Sequence, residues 1–109
     1  MISGGLPPAP AFTGQATAAG FDASPAGSGY RVAEGANAKQ GTATLTAGSV
    51  VVANTSVTAN SRIQLTLNAD GGTPGWVRVS ARTPGTSFTI TSSSGTDTSV
   101  VAYEIFEPG

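Results

Sequence analysis

Few side chains in this 109-residue chain can do chemistry. There are six carboxylates, five cations, one tryptophan and many hydroxyls, with no cysteine and no histidine. The acids are Asp22, Glu34, Asp70, Asp97, Glu104 and Glu107. A glycosidase needs two carboxylates facing one substrate at a fixed separation. Glu104 and Glu107 stand three apart, so on one strand they point to opposite faces. Asp70 and Asp97 fall in loops that could meet, but nothing in the sequence says that they do. The acids therefore read as solvated loop and strand-end groups. A serine nucleophile wants a base, and imidazole is missing. A calcium loop wants several oxygens close together, whereas the segments at Asp70 and Asp97 offer one carboxylate each. The glycines at 71–72 and 95 lack the lysine and following helix of a phosphate loop. Without Cys or His, the commonest zinc ligands are gone. The sequence is thus expected to be no enzyme and to use no cofactor and no metal.

The formal charge of −1 gives no positive field for nucleic acid. No run approaches a membrane span, and residues 1–10 lack the basic and apolar regions of a signal peptide. Asn54-Thr55-Ser56 matches a glycosylation acceptor, read here as a chance match.

Ala, Gly, Ser and Thr make 59 of the 109 residues, and they are unevenly distributed. Residues 1–29 hold four of the seven prolines and a single charge. Neither a helical nor an alternating period survives there, yet Leu6, Phe12, Phe21 and then Tyr30 punctuate the segment. This pattern predicts an extended arm at 1–29, anchored on another surface by those four residues. From residue 30 the pattern changes to short alternating runs. Residues 30–34 are a possible first strand. Residues 42–46 and 49–53 read as strands joined by a hairpin at Ala47-Gly48. Residues 62–68 put Ile63, Leu65 and Leu67 on one face. Residues 76–82 put Val77, Val79 and Ala81 on one face and Trp76, Arg78, Ser80 and Arg82 on the other. Residues 87–91 turn Phe88 and Ile90 inward, and 98–106 are apolar on both faces. Six or seven short strands with frequent turns predict an all-β fold, a small antiparallel β-sandwich (jelly-roll-like) over 30–109.

A body of this size buries only about 60–65% of its unfolded surface and is marginal alone. Many inward positions are Ala or Val. With no disulfide and sparse metal ligands, oligomerisation is the remaining source of stability. Trp76, Arg78, Arg82 and Tyr103 are the expected subunit contacts, since Trp and Arg are enriched in interface cores.

Residues 32–45 (VAEGANAKQGTATL), 54–63 (NTSVTANSRI), 85–92 (GTSFTITS) and 97–103 (DTSVVAY), with Glu107-Pro108, resemble a family of short tailed-phage virion proteins. The resemblance excludes the arm, and its motifs are structural rather than catalytic. It implies a β-sandwich clustered as trimers on a capsid or fibre. The expected function is bacteriophage capsid decoration: a cement protein on the outer capsid surface of the virion, made in the host cytoplasm. It would bridge capsomers, with the major capsid protein and its own copies (a trimer favoured) as partners, and neither nucleic acid nor membrane. The alternative is a receptor-binding or tail-fibre module contacting host glycans through loops 70–75 and 92–97, with Trp76 as the residue suited to stack on a sugar.

Overall fold

Alternating apolar and hydroxyl residues produce six strands in a computed structural model that describes residues 24–109. They are β1 (Gln40–Thr44), β2 (Ser49–Ala53), β3 (Arg62–Ala69), β4 (Val77–Thr83), β5 (Ser87–Ser92) and β6 (Val100–Phe106). No helix occurs among the described residues. Two three-stranded antiparallel sheets form, ordered β1-β6-β3 and β2-β5-β4. Arg31–Gly109 is one compact unit and carries all six strands. Leu6, Phe12 and Phe21 lie outside the described residues.

Each sheet turns its alternate apolar residues inward. Phe88 and Ile90 from β5 meet Val101, Tyr103 and Ile105 from β6. The Phe88 and Tyr103 rings pack edge to face at 5.2 Å, a geometry favoured by the ring quadrupole. Ala43, Val50, Val52, Ile63, Leu65, Val77 and Val79 surround this centre, half buried. Leu45 and Val57, from connections rather than strands, are also fully buried. The core is therefore closed by two loop residues as well as by the sheets.

The connections explain the sandwich. Only β4 and β5 form a hairpin; every other connection passes from one sheet to the other, the habit of jelly-roll chains. The expected hairpin between 42–46 and 49–53 is corrected here. A tight turn does exist, with Thr46 and Ser49 exchanging both backbone hydrogen bonds (2.9 and 3.1 Å). Ala47 (φ 50) and Gly48 (φ 80) both take the positive φ of a type I′ turn. Pairing ends at that rung, because Leu45 N–H instead donates to Ser99 (2.9 Å) and Ser92 N–H donates to Gly48 (2.8 Å). Each strand is thereby claimed by a different sheet. Residues 30–34 also form no strand; they contribute one isolated bridge, Glu34 to Gln40.

A bulge in β4 alters which residues share a face. Val79 pairs with Ile90 and Ala81 with Thr89, so Ser80 is the extra residue. Alternation reverses after it: Ala81 points outward and Arg82 is half buried. Gly41, directly opposite Tyr103, is required by close packing. A Cβ there would lie 2.8 Å from the Tyr103 Cζ.

Truncating Phe88 to Ala removes the largest fully buried side chain. Urea denaturation should show a loss of about 3–5 kcal/mol, against a change within about 0.5 kcal/mol for the exposed Val51→Ala.

Candidate functional site

Three connections meet at one end of the sandwich, and Asp97 holds them together. Its carboxylate has no cationic partner among the described residues. Oδ2 accepts from Ser92 Oγ (2.6 Å) and Gly75 N–H (2.9 Å), and Oδ1 accepts from Ser99 N–H (2.9 Å). Around it the backbone closes the loops on one another. Gly48 donates to Asp97 (3.0 Å), Thr73 to Thr96 (3.2 Å) and Thr98 to Gly71 (3.1 Å). Loops 70–75 and 92–97 thus do meet. Asp97 is 0% exposed, which corrects its reading as a solvated loop acid. The Ser92 hydroxyl, then Ser99 and Gly75, hold its carboxyl well below the usual carboxylate range, while burial opposes them.

This knot positions Trp76. Its backbone N–H donates to Ser93 Oγ (3.0 Å) and its carbonyl accepts from Ser93 N–H (2.8 Å). The indole is 64% exposed, with the Arg78 guanidinium 5.4 Å from its ring centroid, within cation–π range. Beside them lies the outer face of β2-β5-β4. Ser49 stands beside Thr91, Val51 beside Thr89 and Ala53 beside Ser87. Ser80 and Thr91 share a hydroxyl hydrogen bond of 2.6 Å. The result is a nearly uncharged face of hydroxyls and small apolar groups, with one aromatic–guanidinium platform at its edge.

The opposite end is tied by Glu107. It accepts from Ser61 Oγ (2.5 Å), Thr58 Oγ1 (2.7 Å) and Lys39 Nζ (2.9 Å). Lys39 also donates to Ser56 O (2.6 Å). Led by Ser61, then Thr58 and Lys39, these bonds lower the Glu107 pKa to about 2. Asn54 is fully buried in this same region. Its Nδ2 donates to Ala38 O (2.7 Å), and its Oδ1 accepts from Ser56 N–H and Oγ. The acceptor sequence at 54–56 is therefore a folded turn whose amide is already engaged.

Of the four expected body contacts, Trp76 and Arg78 stand together on the surface. Arg82 does not join them. The Ser80 bulge turns it away, and its guanidinium donates to Ser61 O (2.5 Å) and Thr58 O (3.2 Å). Tyr103 is 4% exposed and belongs to the core, so it offers no surface for a subunit contact. Tyr30 is 68% exposed. Among the described residues, no group of three or more His, Cys, Asp or Glu comes together as a metal site. Sequence reasoning passed over Val57 and the Asp97 partners. The sole signal for the latter was the density of Ser and Gly at 71–75 and 92–99.

Residues 37–106 match the family described as K1 capsule-specific polysaccharide lyase, C-terminal domain. The match covers all six strands, Trp76 and Asp97. No curated protein matches the chain.

Both clasped carboxyls are lowered, so they stay ionised in the folded chain at a pH where the unfolded chain takes up protons. Their contribution is complete above the unfolded values and is lost as pH falls through the folded ones. For Glu107 the window runs from 4.5 down to about 2. Melting temperature should hold steady above that window and fall within it, and Glu107→Gln should flatten the slope. Asp97→Asn should lower the melting temperature even at neutral pH, because an amide cannot accept from all three donors. An unchanged value would show that the knot does not stabilise the fold.

Proposed function

Since the chain belongs to the K1 capsule-specific polysaccharide lyase C-terminal domain family, we propose that it is a phage virion module that contacts host surface polysaccharide without cleaving it. The family match carries this reading. It favours the glycan-contacting alternative over capsid decoration, which has only the resemblance and the thin core behind it. The Trp76 platform supplies suitable chemistry. An exposed indole offers a flat apolar surface to the C–H face of a sugar ring. Arg78 holds that ring from one side and can donate to sugar oxygens. The hydroxyl rows of β2-β5-β4 extend the surface with groups that both donate and accept.

Asp97 and Glu107, the most firmly held acids, are clasped in their ionised forms by several donors each. Their role is to fix the backbone beneath the contact face. Assembly with further copies, a trimer favoured, belongs to the same proposal, because the core rests on small side chains. Many weak contacts on one particle then add by multivalency.

Purified protein should bind encapsulated host cells and not capsule-free mutants of the same strain. Trp76→Ala should weaken that binding at least about tenfold, or about 1.4 kcal/mol, with the melting temperature unchanged. Equal binding to both cell types, together with binding to mature empty capsids, would return the protein to shell decoration.

A further inference from the structure

The sheet opposite Trp76 carries a second set of polar groups that neither the fold nor the contact face uses. Gln40, Glu104 and Gln64 stand side by side across β1, β6 and β3, on one register row. They point outward, since their neighbours Gly41, Tyr103 and Leu65 form the inward row. The next outward row is Thr42, Ala102 and Thr66. Ala102 is small, so the middle of the sheet dips. A cavity of about 210 Å³ opens there, lined by Gln40, Gln64, Thr66, Ala102, Glu104 and Glu34. Glu34 is brought over by its bridge to Gln40 and by the Gly35 N–H to Gln40 O bond of 3.1 Å.

A second cavity, of about 320 Å³, is lined by Glu34, Gly41, Thr42 and Ala53 among others. Tyr103 lines both cavities. Its phenol end lies against Gly41. Its ring is buried, yet its hydroxyl has no hydrogen-bond partner among the described residues. A buried tyrosine hydroxyl ordinarily finds a partner. The side chains of Glu34, Gln40, Gln64 and Glu104 likewise make no hydrogen bond or ion pair among the described residues. Arg62 stands on the same face, two residues along β3 from Gln64, and makes no ion pair there.

We propose that this groove, centred on the Gln40–Glu104–Gln64 row, is a second saccharide subsite that prefers uncharged sugars. Paired amides offer donors and acceptors at fixed spacing, and a carboxylate accepts two adjacent sugar hydroxyls. Glu34 and Glu104 line the groove and Arg62, though on the same face, does not, so a sugar that carries its own negative charge is disfavoured. The subsite rests on the proposed polysaccharide contact and adds to it. With Trp76 on one sheet and this row on the other, one copy presents sugar-binding groups on both outer faces of the sandwich.

The full chain would be applied to an array of uncharged, amino-bearing and carboxylate-bearing oligosaccharides, as wild type, Glu104→Ala, Gln64→Ala and Trp76→Ala. Uncharged oligosaccharides should be retained by Trp76→Ala and weakened about tenfold or more by Glu104→Ala and by Gln64→Ala. Amide chemical shifts at Gln40, Gln64 and Glu104 should move on titration of the best uncharged binder, in wild type and in Trp76→Ala alike. If uncharged oligosaccharides bind but depend on Trp76 alone, the subsite is wrong and the polysaccharide reading stands. Binding of carboxylate-bearing oligosaccharides alone has the same meaning. If no oligosaccharide and no encapsulated cell is bound, both fail.

Discussion

One buried carboxylate decides the geometry of half the molecule. Asp97 sits where the β1–β2, β3–β4 and β5–β6 connections converge, and all three cross between the sheets. Backbone groups leaving a strand at a sheet end have lost their ladder partners and must find others. Here an acidic side chain supplies acceptors to two of them, Gly75 and Ser99, and the neighbouring carbonyls and hydroxyls supply the rest. An isolated buried charge is costly unless donors surround it. Asp97 meets that condition with neutral donors only, so the knot owes nothing to an ion pair that salt would screen. The Glu107 end solves the same problem differently, combining Lys39 with two hydroxyls.

The strands themselves were legible. Period-two alternation is a direct image of the pleat, and residues 49–53, 62–68, 76–82, 87–91 and 98–106 each coincide closely with an observed strand. The β-sandwich followed from their number and spacing. Which strands pair did not follow. Ala47-Gly48 has the chemistry of a hairpin turn and makes one, but pairing beyond the first rung depends on β5 and β6, tens of residues away along the chain, which local sequence does not encode. The inserted Ser80 was invisible for a related reason. A bulge is defined by its partner strand, and alternation read along β4 alone carries Arg82 onto the wrong face.

The same limit governs the sites. Alternation places Trp76 opposite Val77, and the structure leaves it exposed. Asp97 was misjudged because one of its partners, Gly75, lies 22 residues away, and a single aspartate followed by Thr and Ser reads as a turn. The Gln40–Glu104–Gln64 row could not be read at all. Its members come from three strands, and a shift of one residue in either register would send one of them to the core.

Scarcity of charge and of large side chains takes on a different meaning once the faces are assigned. Small residues let two sheets of only three strands each close over a core led by Phe88 and Tyr103, and let Gly41 receive the phenol directly. Hydroxyls then occupy the outer positions that a freestanding domain would commonly give to Lys and Glu. Such a face attracts no particular ion and repels none, so the few exceptions on it stand out: Trp76 with Arg78 on one sheet, and two carboxylates, two amides and Arg62 on the other. A polysaccharide is a long, repeating, weakly bound partner, and contact with it is best served by rigid groups held at fixed spacing. The Asp97 knot provides that rigidity beneath Trp76. The β1-β6-β3 ladder provides it beneath the amide row. On the proposed polysaccharide contact, stability and recognition draw on the same backbone hydrogen bonds, which is how a chain with so little chemical equipment would present a defined surface.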